Sequence, residues 1–364
     1  MPRVRRIPSP SPSSPAVGGR ALALAALFAS VTSPVAAQQP ERFTLRGGRV
    51  AVYNLAGVMR LEAGGGSDVA VEVTRRGPDA QRLQLRTGTA DGAQTLSVIY
   101  PDDRIVYPDI GRGSRTQLRV RDDGTFGGGS GLGSHRVTIA GSGDGLEASA
   151  DIVVRVPRGQ RLAVYLAAGE ASVANVDGDL TVDVAAASVS TRGTRGRLHL
   201  DTGSGEVEVV DAAGDVDLDV GSGSVRVSNV RGERLRVDAG SGELTGDGVA
   251  SATMQLDLGS GGTRLSRVTS GDIDLDSGSG EVELGLAGAV RSLHVDSGSG
   301  SVTLTLPPTL GATLDVDTGS GGIEVELPIT VTRRSRSRLV GTIGDGSGRI
   351  RIESGSGEVR LRKG

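Results

Sequence analysis

Residues 201–223 read "DTGSGEVEVVDAAGDVDLDVGSG". Two GSG triplets stand 18 residues apart, at Gly203 and Gly221, and each follows an aspartate by two positions. The triplet returns at Gly240, Gly259, Gly278, Gly298, Gly319 and Gly355, with spacings of 19, 19, 19, 20, 21 and 36 residues. Two degenerate turns, "LAAGEASV" around Ala167 and "VDVAAASVS" around Ala185, precede them and bring the series to ten. A fixed period of this length is the mark of a stacked-repeat architecture.

Alignment on the turns separates structure from low complexity. Five and three positions before each turn stand Leu162/Val164, Leu180/Val182, Leu198/Leu200, Val216/Leu218, Leu235/Val237, Met254/Leu256, Ile273/Leu275, Leu293/Val295, Leu314/Val316 and Ile350/Ile352. All are apolar, and their neighbours are mostly polar. Alternation with period two is a half-buried strand. The pattern resumes after the turn in Val207/Val209, Val225/Val227, Val282/Leu284, Val302/Leu304 and Ile323/Val325. A unit with two short strands cannot bury its apolar face alone, but stacked copies can. The expectation is an all-β chain forming a parallel β-solenoid of about ten coils, roughly 48 Å long at about 4.8 Å per coil. Glycine suits its corners because it tolerates positive φ and close backbone approach.

The outward columns fix the register. Six positions before the turn, Arg161, Asp179, Arg197, Asp215 and Arg234 alternate in sign. Directly after it, Glu170, Ser188, Glu206, Ser224, Glu243, Gly262, Glu281 and Ser301 place no glutamate beside another. One column breaks the rule: Asp183, Asp201, Asp219, Asp238, Asp257, Asp276, Asp296 and Asp317, followed by Glu353. Carboxylates about 5 Å apart repel by about 0.8 kcal/mol per neighbouring pair even in water. Three readings are open. Each Asp accepts hydrogen bonds from the Gly and Ser amides of its own corner, the row holds divalent cations such as calcium, or the acids splay into solvent. Turn capping is the first of these.

Composition bounds the rest. "MPRVRRIPSPSPSSPAVGGR", the apolar "ALALAALFASV" and "TSPVAAQQ" form an export signal over 1–37, cleaved after Ala37. The apolar run is too short for a bilayer span of about 20 residues, and no other follows. Zero cysteines exclude disulfides, a lipidated cysteine and thiolate metal sites. A net charge of -3 with a single lysine, Lys363, gives no reason to expect nucleic acid.

No active site emerges. His199 and His294 share one outward column five coils apart, about 24 Å, and His135 lies elsewhere. The corner serines repeat, so none is a singular nucleophile. No GSG triplet opens a helix, as a dinucleotide site requires. A polysaccharide-active β-helix enzyme is therefore the most distant reading.

Residues 38–157 carry strand-like runs without the period and read as an N-terminal β-rich cap with irregular first coils; 158–364 is the regular solenoid. "RDDGTFGGGSGLGSH" (121–135) reads as a mobile loop. The insertion 328–348 brings Arg333, Arg334, Arg336 and Arg338. It reads as a solvated loop or hairpin, or as a basic contact surface for an anionic envelope polymer.

Laid out in this way, the chain resembles the bacterial DUF4097-type adhesin family, toastrack-like β-helix proteins. The resemblance rests on "VYNLAG", "LEASADIVVRVPRGQRL", the "GSGEVEV" and "GSGSV" units and the ending "GTIGDGSGRIRIESGSGEVRL". It implies a right-handed β-helical fold in exported or envelope-facing proteins, periplasmic, cell-surface or secreted, and brings no catalytic residues or cofactors. The function expected is non-enzymatic, adhesin-like binding of an envelope or extracellular polymer or a surface protein. The alternative is envelope-stress sensing or a structural accessory role with one protein partner.

Overall fold

The computed structural model describes residues 39–127 and 133–364. The export signal read at 1–37 and the centre of the glycine-rich loop, 128–132, lie outside the described residues. Gln38–Gly364 forms one compact unit. Among the described residues the chain is all-β, with short 3-10 turns at Ala80–Arg82 and Pro108–Ile110 and no α-helix.

The period in the sequence is the register of the sheet. Leu162, Leu180, Leu198, Val216, Leu235, Met254, Ile273 and Leu293 are successive partners in parallel pairings. All twenty apolar residues aligned before the turns lie in the core. Each such side chain contributes roughly 1.5–3 kcal/mol on burial, so the stacked alternation alone accounts for a continuous core.

Two corners shape the earlier coils. At the GSG corner, Gly223 has φ +140°, and a Cβ there would overlap the carbonyl oxygen of Gly205 one coil away. The second corner uses a column of left-handed residues: Asn175, Gly193, Asp211, Asn229, Gly248 and Arg267. Asn, Asp and Gly adopt this conformation most readily. Asn229 Nδ2 also donates to Asp211 Oδ1 at 3.0 Å, tying one corner to the next.

The stack departs from a purely parallel, sequential solenoid at both ends. The sheet is mixed. At the N-terminal end Arg49–Ala63 pairs parallel with Gln160–Ala174, placing Val50, Val52 and Tyr53 against Leu162, Val164 and Tyr165. The strands between them are accommodated around this pairing. Val69–Arg76 runs antiparallel to Ser149–Val156 and to Glu41–Leu45. Arg104–Val106, Arg115–Arg121 and Ser134–Ala140 form a separate three-stranded sheet. Asn54 and Tyr100 bury a polar contact in this region, with Tyr100 Oη donating to Asn54 Oδ1 at 2.9 Å.

At the C-terminal end the chain order and the spatial order differ. Ser292–Ser297 pairs parallel with Gly348–Ser354, which pairs in turn with Ala312–Thr318. The last coil in sequence is thus inserted beneath the one before it. The intervening segment folds as a hairpin, with Arg338–Ile343 antiparallel to Ala312–Thr318 and Thr330–Arg334 antiparallel to Arg338–Ile343. It closes the strand edge that an open solenoid would expose.

Candidate functional site

The aspartate column is continuous in space. Asp183, Asp201, Asp219, Asp238, Asp257, Asp276 and Asp296 are successive register partners, followed by Glu353 and then Asp317. Below Asp183 the column continues as Tyr165 and Tyr53.

The corner amides that the aspartates were expected to engage are committed elsewhere. Gly259 and Ser260 donate to the carbonyls of Ala239 and Gly240, and Gly278 and Ser279 to those of Leu258 and Gly259. Coil-to-coil bonding consumes these donors, which corrects the turn-capping expectation. The acids stand without that compensation. Burial and the Asp201 carboxylate push Asp183 up to about 6. Burial and neighbouring aspartates also raise Asp201, Asp238 and Asp276. At the far end arginines intervene: Arg351 hydrogen-bonds Glu353 and holds it below its usual range. Arg338 reaches Asp315 at 3.1 Å and Asp317 at 3.4 Å.

These acids form a line and do not converge. Among the described residues no group of three or more His, Asp or Glu side chains is placed to hold a metal ion. A calcium site of several oxygen ligands does not fit this arrangement.

The hairpin divides the four arginines. Arg333, Arg334 and Arg336 are exposed, whereas Arg338 is half-buried on the end of the acid column. The histidines stand apart, each beside aspartate: His199 with Asp217 at 3.4 Å, His294 with Asp274 at 3.1 Å, and His135 with Asp103 at 3.5 Å.

Elsewhere the outer face interleaves charge. Arg264 bridges Glu243 at 3.0 Å and Glu283 at 2.8 Å across three coils. Such exposed pairs contribute about 0–1 kcal/mol each, so they set register more than stability. Val331, at 43%, is the one exposed large hydrophobic side chain among the described residues.

One groove escaped the sequence reading. A cavity of about 470 Å³ is lined by Arg49, Tyr53, Asp91, Arg161, Tyr165 and Asp179, among others. The Tyr53 and Tyr165 rings stack at 4.4 Å, and Phe126 meets them edge-on at 5.8 and 6.2 Å. Phe126 belongs to the segment expected to be a mobile loop, yet it is buried in this cluster. The signal was present in "VAVYNLAG" (50–57) and "LAVYLAAG" (162–169), which share their tyrosine position, but the strands inserted between them hid the period.

The repeat geometry agrees with the comparison to known families, where the profile of the Toastrack DUF4097 family matches residues 134–362, more than half of the chain. The chain belongs to the Toastrack DUF4097 family. No curated protein matches this Toastrack chain. Among solved structures, one provisionally named a cell adhesion protein from Clostridium sporogenes covers 90% of this chain and 100% of its own. It is 10% identical, with a TM-score of 0.20. No helix among the described residues of the Toastrack chain is long and apolar enough to cross a membrane.

Proposed function

We propose that the protein is exported, non-enzymatic and adhesin-like: a right-handed β-solenoid of about ten coils that binds an envelope or extracellular polymer, or a surface protein, through its repeated outer face. The observation that carries this reading is the unbroken register of outward acids from Asp183 to Asp317. A rigid array repeating about every 4.8 Å presents many weak polar contacts at fixed spacing, and multivalency raises avidity without a single strong pocket. Co-sedimentation of the protein with isolated bacterial envelopes tests it. The protein should pellet with the envelopes, and its retention in the supernatant contradicts the reading.

A second reading is sensing or accessory binding of one partner through the hairpin, favoured by the exposure of Arg333, Arg334 and Arg336 together on it. Their joint replacement by Gln separates the two. Near-complete loss of binding supports the hairpin, and retained binding supports the repeated face.

A further inference from the structure

Along the outward column that opens each coil, arginine usually meets a carboxylate. Arg161 faces Asp179 at 3.5 Å, and Arg234 faces Asp215 at 3.9 Å. The first step of this column breaks the alternation, because Arg49 is in register with Arg161. Both arginines are exposed. Neighbouring like charges repel, and no carboxylate among the described residues forms an ion pair with Arg49. Two arginines are therefore register neighbours, Arg49 without a carboxylate pair among the described residues and Arg161 shared with the exposed Asp179, in a chain that elsewhere interleaves its charges.

They line the 470 Å³ groove. That volume lies in the range of small-ligand sites, about 300–1,000 Å³. The tyrosine pair and Thr181 add hydroxyls, and Asp91 and Asp179 place two carboxylates in the same groove. The set has a specific complement. Guanidinium forks match planar carboxylates bidentately, while carboxylates need donors such as sugar hydroxyls. A uronic-acid ring carries both groups, whereas a polyphosphate chain carries anionic oxygens and offers nothing to Asp91 or Asp179.

We infer that this groove binds a uronic-acid unit of an acidic polysaccharide, with Arg49 and Arg161 on the sugar carboxylate and Asp91 and Asp179 on its hydroxyls. The Tyr53–Tyr165 stack, braced by Phe126, keeps that wall of the groove rigid, so little side-chain ordering opposes binding. The site lies at the tyrosine end of the acid column, next to Asp183, and uses none of the column's carboxylates. It therefore stands or falls independently of envelope binding through the repeated face.

Isothermal titration of the full chain with tetragalacturonate tests the inference, beside a neutral galactose tetramer and inorganic polyphosphate. Tetragalacturonate should bind and the neutral tetramer should not. Joint R49Q and R161Q substitution should weaken binding about tenfold or more with an unchanged melting temperature. Asp91→Asn leaves both arginines in place and should weaken tetragalacturonate binding without creating affinity for the neutral tetramer. Absence of tetragalacturonate binding overturns the site, as does wild-type affinity in the R49Q/R161Q protein. Polyphosphate binding as tightly to the same arginines overturns the sugar assignment. Envelope co-sedimentation persisting through any of these results leaves the broader function intact.

Discussion

Asp296 is in register with Glu353, while Asp317, which follows it in the repeat series, lies one coil further out beyond Glu353. The chain thus lays down Ala312–Thr318 and the hairpin before Gly348–Ser354 enters between earlier coils. The C-terminal strands are an internal layer of the stack, and their loss opens a gap.

Deletion of 346–364 is expected to cost far more than deletion of one interior repeat. Ile350, Ile352, Val359 and Leu361 are fully buried, and at roughly 1.5–3 kcal/mol each their removal approaches the whole stability of a typical domain, about 5–15 kcal/mol. Removing Val216–Arg234 instead joins Asp215 to Leu235, which takes the register position that Val216 held. Thermal melts of the two deletions should show a large loss of cooperative folding in the first and a small shift in the second. Equal shifts would mean that Gly348–Ser354 is not an inner layer.

Gly223→Ala places a methyl group on the Gly205 carbonyl at a φ of +140°. A clash with backbone plus a disfavoured φ should destabilise the fold by about 3 kcal/mol or more. Gly65→Ala meets nothing within 4 Å and should stay within about 0.5 kcal/mol. Urea denaturation of both variants measures the contrast.

Asp183 makes stability depend on pH in a predictable direction. Its folded pKa near 6 exceeds its ordinary value of 3.8, so the folded chain binds more protons than the unfolded chain between about pH 4 and 6. Its contribution is therefore favourable below that window and is lost as pH rises through 6. Asp183→Asn should stabilise the protein by about 1–2 kcal/mol at pH 7, after allowance for solvent screening, and by almost nothing at pH 4. Chemical denaturation at the two pH values reads the difference. Gly127 sits over this carboxylate, where a Cβ would lie 3.1 Å from Asp183 Oδ2, which is one source of its burial.

Repulsion along the acid column should respond to ionic strength. Screening is substantial once the Debye length falls to about 8 Å, near 0.15 M salt. Asp257→Asn removes one carboxylate between Asp238 and Asp276 and should raise the melting temperature at low salt more than at high salt. Calcium at matched ionic strength should add nothing further. A calcium-specific rise, abolished by chelator, would show that the line of acids gathers cation ligands after all.

The regular coils were legible in the sequence because each repeat carries its own register. The apolar pairs, the GSG corner and the charge columns all have one spatial solution when units stack in parallel. The C-terminal inversion was not legible, since Asp317 and Glu353 belong to equivalent repeats and either fits beside Asp296. Only the hairpin, with Arg338 reaching back to Asp315 and Asp317, fixes which coil lies outermost. The acid column itself was visible as a pattern, but the partners of the corner amides were not, because those amides had two competing acceptors, the aspartates and the neighbouring coil's carbonyls, and they bond the carbonyls. The groove at Arg49 and Arg161 depends on a pairing across more than 100 residues of inserted chain, beyond the reach of a local period.

The most direct test of the functional account is envelope co-sedimentation of the intact protein beside in-register deletions of one, two and three coils: Val216–Arg234, Val216–Thr253 and Val216–Asp272. Val216, Leu235, Met254 and Ile273 occupy the same position in successive coils, so each deletion shortens the repeated face and leaves both ends in place. Binding should fall stepwise with each coil removed, while the shortened proteins still melt cooperatively. Undiminished binding in the three-coil deletion would contradict it.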